Sequence, residues 1–257
     1  MRLTVVGCSG SYPGPESPAS CYLLEAEHSD GEGSRTWRVL LDLGNGSLGA
    51  LHRYADPLSI DAVFLSHLHA DHCLDLCGYY VMRKYHPHGP QPRIPVFGPA
   101  GVAARMARAY DLPEEPGMTQ EFDFLEYAGP AQVGPFVVEP LEVLHPVTSY
   151  ALRVSVDGAV LTYSGDTAAC PELDRAAQGS DLFLCEASFR DGDDHPPAIH
   201  LTGGEAGATA SRAGVGRLLV THVPPWHRPE RALAEARATW AGPLDVAGPG
   251  LVVELPG

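Results

Sequence analysis

Ala62-Val63-Phe64-Leu65-Ser66-His67-Leu68-His69-Ala70-Asp71-His72 is the stretch from which the rest of this chain can be read. Its first four residues form an apolar run of the kind that makes a buried strand. The run stops at three imidazoles and a carboxylate packed into six residues. A strand ending abruptly in nitrogen and oxygen donors predicts a metal site at its carboxyl end. His67, His69, Asp71 and His72 cannot all reach one ion from so short a loop. They suit two neighbouring ions, each completed by donors from elsewhere.

Those donors follow in order. His145 comes after a strand-like segment at 136–144, Asp166 lies in Tyr163-Ser164-Gly165-Asp166-Thr167, and His222 follows Leu218-Leu219-Val220-Thr221. Each stands just past an apolar run, so each is placed to converge on one rim of a sheet. Gly165 is expected to let the backbone approach an ion closely, without a clashing Cβ. Taken singly, the seven have plainer uses: Asp71 as a helix cap, His67 and His69 as loop residues, His145 as a buried hydrogen-bonded histidine. One coordination chemistry accounts for all seven together. Zinc suits so nitrogen-rich a set, and manganese or iron is chemically tolerable.

The chain has 257 residues, 44% of them hydrophobic, which fits one large α/β domain spanning 1–257. No run of eighteen or more apolar residues occurs, so no membrane span is expected. The start reads as a strand entering a glycine turn rather than as a signal peptide, which predicts a cytoplasmic protein. Six cysteines (Cys8, Cys21, Cys73, Cys77, Cys170 and Cys185) are read as reduced thiols. Cys73 and Cys77 share a predicted helix face and read as small core residues. Formal net charge is -15, from 17 basic and 32 acidic residues. Such a field repels a long polyanion, although metals could still hold a small phosphate ester.

Strand patterns at 1–7, 21–26 and 37–41 open an antiparallel sheet, with 28–35 as a hairpin loop. Helices are predicted at 45–54, at 72–86 capped by Asp71, and at 99–110 with Pro99 in its first turn. Strands are predicted at 62–65, 94–97, 121–127, 136–144, 149–156 and 159–163, the last two joined by an Asp157-Gly158 turn. Helices at 171–178, 203–213 and 229–240 then alternate with strands at 182–185 and 217–221. Strand runs early and alternation late predict two sheets packed face to face with helices outside.

The seven donors, in this order and context, resemble the ligand set of the metallo-β-lactamase superfamily, in the dinuclear branch that includes ribonuclease Z and related phosphodiesterases. The pattern G-C-S-G-S-x-x-G-P-x-S-P-A-S at 7–20, followed by S-H-L-H-A-D-H-C-L-D-L, C-E-A-S, H-L-T-G-x-E-A-G and T-H-V-P-P-W, closely resembles the bacterial atypical cyclic-AMP phosphodiesterases. That likeness covers nearly the whole chain. It implies an α/β fold, the αββα four-layer sandwich of two mixed β-sheets flanked by helices. It implies two divalent metal ions: His67, His69 and His145 on the first, Asp71, His72 and His222 on the second. Asp166 would bridge them, since a carboxylate has two oxygens to offer.

The implied reaction is hydrolysis of a small 3′,5′-cyclic nucleotide to the 5′-nucleotide by a metal-activated hydroxide. Asp71 would hydrogen-bond the nucleophile and His200 would protonate the leaving oxygen. His200 precedes Leu201-Thr202-Gly203-Gly204-Glu205, in which Thr202 and Glu205 read as a capping box. It therefore stands at a helix amino end, where phosphate oxygens bind well. Glu186 either orients a metal-ligating histidine or pairs with local backbone. His195 reads as a solvated loop residue rather than one bordering the entrance; His28, His52, His86, His88 and His227 read as surface residues.

Ribonuclease Z proper grips tRNA with an arm between its middle histidine and bridging aspartate. Here that interval is 166 minus 145, or 21 residues, and two strands with their turn fill it. Short interval and negative charge both speak against tRNA. A ribonuclease Z-like endonuclease and a lactone or thioester hydrolase of the same fold remain the alternative readings. Members of this group often form homodimers, but no stretch here reads as an interface.

Overall fold

Strands appear first as an antiparallel ribbon, built from short runs rich in apolar residues whose side chains are buried on both faces of the sheet. In the computed structural model, which describes residues 1–30 and 33–256, they are β1 (Arg2–Gly7), β2 (Cys21–Asp30) and β3 (Gly33–Leu41). Parallel strands β4 (Ala62–Phe64), β5 (Ile94–Gly98) and β6 (Phe122–Glu126) extend the same sheet. The second sheet contains β7 (Ala131–Val133), β8 (Phe136–Val143), β9 (Ser149–Val156), β10 (Ala159–Tyr163), β11 (Leu182–Glu186), β12 (Leu218–Thr221) and β13 (Leu244–Val246). The last strand, β14 (Val252–Glu254), returns to the first sheet beside β1. The two seven-stranded sheets run β14-β1-β2-β3-β4-β5-β6 and β13-β12-β11-β10-β9-β8-β7.

Apolar side chains fall into three clusters, which define four layers. Leu3, Val5, Leu41 and Phe64 on the first sheet meet Phe136, Leu152, Leu161 and Tyr163 on the second. The outward residues Leu23, Leu40 and Val63 pack under α3 (Leu76–Lys84) and α4 (Val102–Ala109), through Leu76, Tyr79, Val102 and Met106. On the far side, Phe183, Cys185, Leu218 and Val220 lie under α5 (Pro171–Ala177), α6 (Gly203–Ala213) and α7 (Pro229–Thr239). This is the α/β, αββα sandwich expected from the sequence.

Several local expectations are corrected. The helix expected at 72–86 is two pieces, α2 (Ala70–Cys73) and α3, separated where the Asp75 carboxylate accepts a hydrogen bond from Leu48 N at 2.8 Å. Asp71 is not its cap: His69 holds the N-cap position with extended backbone, and Asp71 lies inside the first turn. Pro99 is outside α4, which begins after left-handed Gly101. The helix expected at 45–54 shortens to α1 (Ser47–Leu51). Strands β2 and β3 continue through most of the expected hairpin loop, with Asp30 paired to Gly33; its centre, Gly31 and Glu32, is outside the described residues. Strands β7, β13 and β14 went unforeseen because three residues are too short to show a period. Among the described residues no helix is long and apolar enough to cross a membrane.

Candidate metal centre

Parallel strands bring the predicted donors to one rim. In the first sheet, β3 and β4 run the same way, and their carboxyl ends deliver Asp42 and the Ser66–His72 loop. In the second, β10, β11 and β12 are mutually parallel, and β8 shares their direction because β9 is antiparallel to both β8 and β10. His145, Asp166, Glu186 and His222 therefore leave strand ends on the same side.

All seven predicted donors come together, in two groups that share one residue. His67, His69, His145 and Asp166 form one group; Asp71, His72, Asp166 and His222 form the other. Within each, the donor atoms lie within 4.8 Å of one another. His67 Nε2 is 3.0 Å from His69 Nδ1, which is 3.3 Å from His145 Nε2. Nitrogens bound tetrahedrally at about 2.0–2.1 Å stand roughly 3.3 Å apart, so the three imidazoles have the spacing of ligands on one ion.

Asp166 divides its oxygens between the groups. Its Oδ2 is 3.7 Å from His67 Nε2, while its Oδ1 is 3.2 Å from His72 Nε2 and 3.1 Å from His222 Nδ1. Asp71 Oδ2 completes the second group, 3.5 Å from His72 Nε2 and 3.7 Å from His222 Nε2. Although 3.2 Å apart, His72 Nε2 and Asp166 Oδ1 are buried without a hydrogen bond. Buried polar atoms of this kind are nearly always partnered. The donor set and its unpartnered atoms fit divalent cations.

The charges of three of the histidines and of both carboxylates agree with that assignment. Burial, reinforced by neighbouring imidazoles, pushes His67 well below the ordinary histidine range and lowers His69 and His222. Neutral imidazole is the form that binds metal. Burial alone would raise the carboxyls, yet surrounding histidines hold Asp166 and Asp71 well below the usual range. His72 moves upward instead: burial opposes its cation, but Asp166 and Asp42 outweigh burial.

Asp42 is the residue that sequence reasoning missed. It is fully buried, with left-handed backbone (φ 60°) just past β3. Its Oδ2 accepts from His72 Nδ1 at 2.7 Å, from Ser66 Oγ at 2.8 Å and from the Tyr163 hydroxyl at 2.8 Å. Its Oδ1 accepts from Ser66 N at 2.7 Å. A proton fixed on His72 Nδ1 leaves the Nε2 lone pair facing the second group. The available signal was Leu40-Leu41-Asp42-Leu43-Gly44, a carboxylate that ends an apolar run as Asp166 does.

Glu186, also fully buried, pairs with local backbone as one reading had it, and the histidine it orients is His200 rather than a metal ligand. Its Oε1 accepts from Thr167 N at 2.8 Å and from His200 Nδ1 at 2.9 Å, and its Oε2 from Ser188 N at 3.2 Å. His200 sits 3.9 Å from Asp166 Oδ2, ahead of α6, where the Thr202–Glu205 capping box is present. Burial opposes its imidazolium, but Glu186 outweighs burial and raises His200 to about 9.

Two glycines make the crowding feasible. A Cβ on Gly10 would lie 2.2 Å from the His222 carbonyl oxygen, whose residue itself has left-handed backbone (φ 56°). Gly165 has φ 57°, and a Cβ there would lie 2.6 Å from the Tyr150 carbonyl oxygen, so glycine here permits a close approach of backbone to backbone. Cys73 lies in the apolar core and donates its thiol to His69 O at 3.2 Å, and burial pushes that thiol up to about 12. All six cysteines are free thiols. His195 is stacked on Phe189 and borders a cavity with His200, so it is closer to the site than a plain loop residue. His28, His52, His86 and His88 belong to neither donor group.

The profile of the "Beta-lactamase superfamily domain" matches residues 37–223. The uncharacterized protein Rv1339 of Mycobacterium tuberculosis is 46% identical over 249 residues, covering 95% of this chain and 88% of that protein. Ribonuclease Z of Myxococcus xanthus is 29% identical over 314 residues, covering 100% of this chain and 98% of that one. The crystal structure of the metallo-beta-lactamase fold protein YhfI from Bacillus subtilis superposes with a TM-score of 0.82 at 26% identity, covering 98% of each chain. With the profile spanning most of the sequence and the fold matching throughout, the chain belongs to the beta-lactamase superfamily.

Proposed function

We propose that this metal-dependent hydrolase is a dinuclear phosphodiesterase acting on a small cyclic nucleotide, a 3′,5′-cyclic AMP-like diester, to give the 5′-nucleotide. The observation that carries the reading is the division of Asp166 between two complete donor groups, with His200 beside them. His67, His69 and His145 would hold one ion, Asp71, His72 and His222 the other, and Asp166 both; zinc suits the nitrogen-rich donors best. When bound, such ions polarise phosphoryl oxygens and bring the pKa of coordinated water near neutrality.

The remaining work falls to side chains. Asp71, held ionised, accepts a hydrogen bond and so orients the incoming water. His200, held protonated by Glu186, stands ready to donate a proton from Nε2 to the leaving oxygen. Ribonuclease Z relatives act in keeping with phosphodiester chemistry, but tRNA suits this chain poorly. Strands β9 and β10 occupy the interval between His145 and Asp166 where an arm would have to emerge, and the net charge is -15. A cytoplasmic location belongs to the same proposal.

The direct test is product analysis with purified protein loaded with zinc or manganese. Cyclic AMP should become 5′-AMP, and a chelator should abolish the activity until metal is restored. Absence of turnover with every cyclic nucleotide and simple diester would sink the reading.

Glu186 gives a second expectation, in pH. A histidine raised to about 9 is cationic below that value, so kcat/KM should fall as pH rises through it. Glu186→Gln removes the charge that favours the cation, and the alkaline limb should move down by at least about one pH unit. An unmoved limb in a folded variant would show that His200 is not the acid.

A further inference from the structure

Beside His200 a cavity of about 440 Å³ opens between two loops, one after β11 and one after β12. Ser11, Ser188, Phe189, His195, His200 and Trp226 contribute to its lining. The volume is within the roughly 300–1,000 Å³ range of small-ligand sites. His200 belongs to both places, so a ligand whose phosphate lies at the metal centre can extend directly into the cavity.

Its walls combine aromatic rings with the charged side chains of Arg190, Asp193 and Asp194. Phe189 and His195 are stacked, with ring centroids 4.4 Å apart and planes 23° from parallel. Phe189 also meets His200 edge-on at 5.1 Å. From the other loop, Trp226 is backed by Tyr12, centroid to centroid 5.2 Å. Its indole N–H already donates to His227 Nε2 at 3.2 Å, so what it offers the cavity is its π surface. Trp226 is nevertheless 60% exposed and Tyr12 44% exposed. Two large rings held in water beside a reaction site, with the polar end of one satisfied, are poorly explained by packing.

We infer that this cavity is the subsite for the heterocyclic base, with Trp226 as the stacking surface and the Phe189–His195 pair as the opposing wall. The inference rests on the cyclic-nucleotide reading, and it specifies that the substrate is a mononucleotide recognised through its base as well as its phosphate. Stacking is tolerant of base identity, because every base has a π face. The subsite therefore selects for a nucleobase over its absence more strongly than among bases.

Binding of the 5′-mononucleotide product by the metal-loaded protein separates this claim from turnover. By calorimetry, AMP should bind roughly 10- to 100-fold more tightly than ribose 5-phosphate, the range given by stacking one base. Trp226→Ala should collapse that ratio towards one, and Trp226→Phe should restore most of it. Trp226 is largely exposed, so neither substitution disturbs the core. Equal affinities for the two ligands in the wild type, or a ratio unchanged in Trp226→Ala, would overturn the subsite while leaving phosphodiester hydrolysis intact. A preserved ratio that depends on Trp226, in a protein without cyclic-nucleotide turnover, would support the subsite and overturn the reaction instead.

Discussion

Asp166→Ala is expected to yield a folded protein with less than its full complement of metal and at most about a thousandth of its activity. That loss corresponds to the several kcal/mol of charge stabilisation that a correctly held cation supplies to a phosphoryl transition state. Asp166 is the sole residue common to both donor groups, with one oxygen turned towards each. Its removal withdraws a donor from both at once, whereas loss of His69 withdraws a donor from one. Elemental analysis beside kinetics tests this. Full metal content with near-normal turnover would refute the bridging role.

The second large effect is expected at Asp42, which touches no substrate. Asp42→Ala strands four buried donors: Ser66 N, Ser66 Oγ, the Tyr163 hydroxyl and His72 Nδ1. Removing one partner from a buried charged network costs about 3–5 kcal/mol, which lowers the melting temperature by roughly 10 °C in a protein of this size. Asp42→Asn keeps the shape but changes the proton arrangement. An amide NH₂ facing His72 Nδ1 favours the tautomer with its proton on Nε2, directed into the metal centre. Metal affinity should fall about ten- to a hundredfold, with a smaller change in melting. If Asp42→Asn binds metal as tightly as wild type, orientation of His72 by Asp42 is excluded.

What the sequence disclosed depended on how local each signal was. The Ser66–His72 loop, the Tyr163–Thr167 segment and the strand before His222 carry their chemistry within a few adjacent residues, and the structure gathers all of them. The Thr202–Glu205 capping box was legible for the same reason. Asp42 was not, because its meaning lies in partners 24 to 121 residues away. Glu186 was ambiguous because its two oxygens satisfy both backbone and His200. Asp71 resembled a cap on propensity alone, but its place among the donors pointed elsewhere, and its carboxylate faces His72 and His222. Edge strands of three residues offered too little pattern to read.

The pairing of β14 with β1 has a consequence for how the polypeptide is made. Arg2 finds its partner in Glu254, so one edge of the first strand stays unpaired until that distant segment has left the ribosome. Bare strand edges invite association with other nascent chains, and contacts between distant segments form slowly. Vulnerability to misassembly therefore persists until β14 emerges, and slower elongation through the codons just before it would lengthen the exposure.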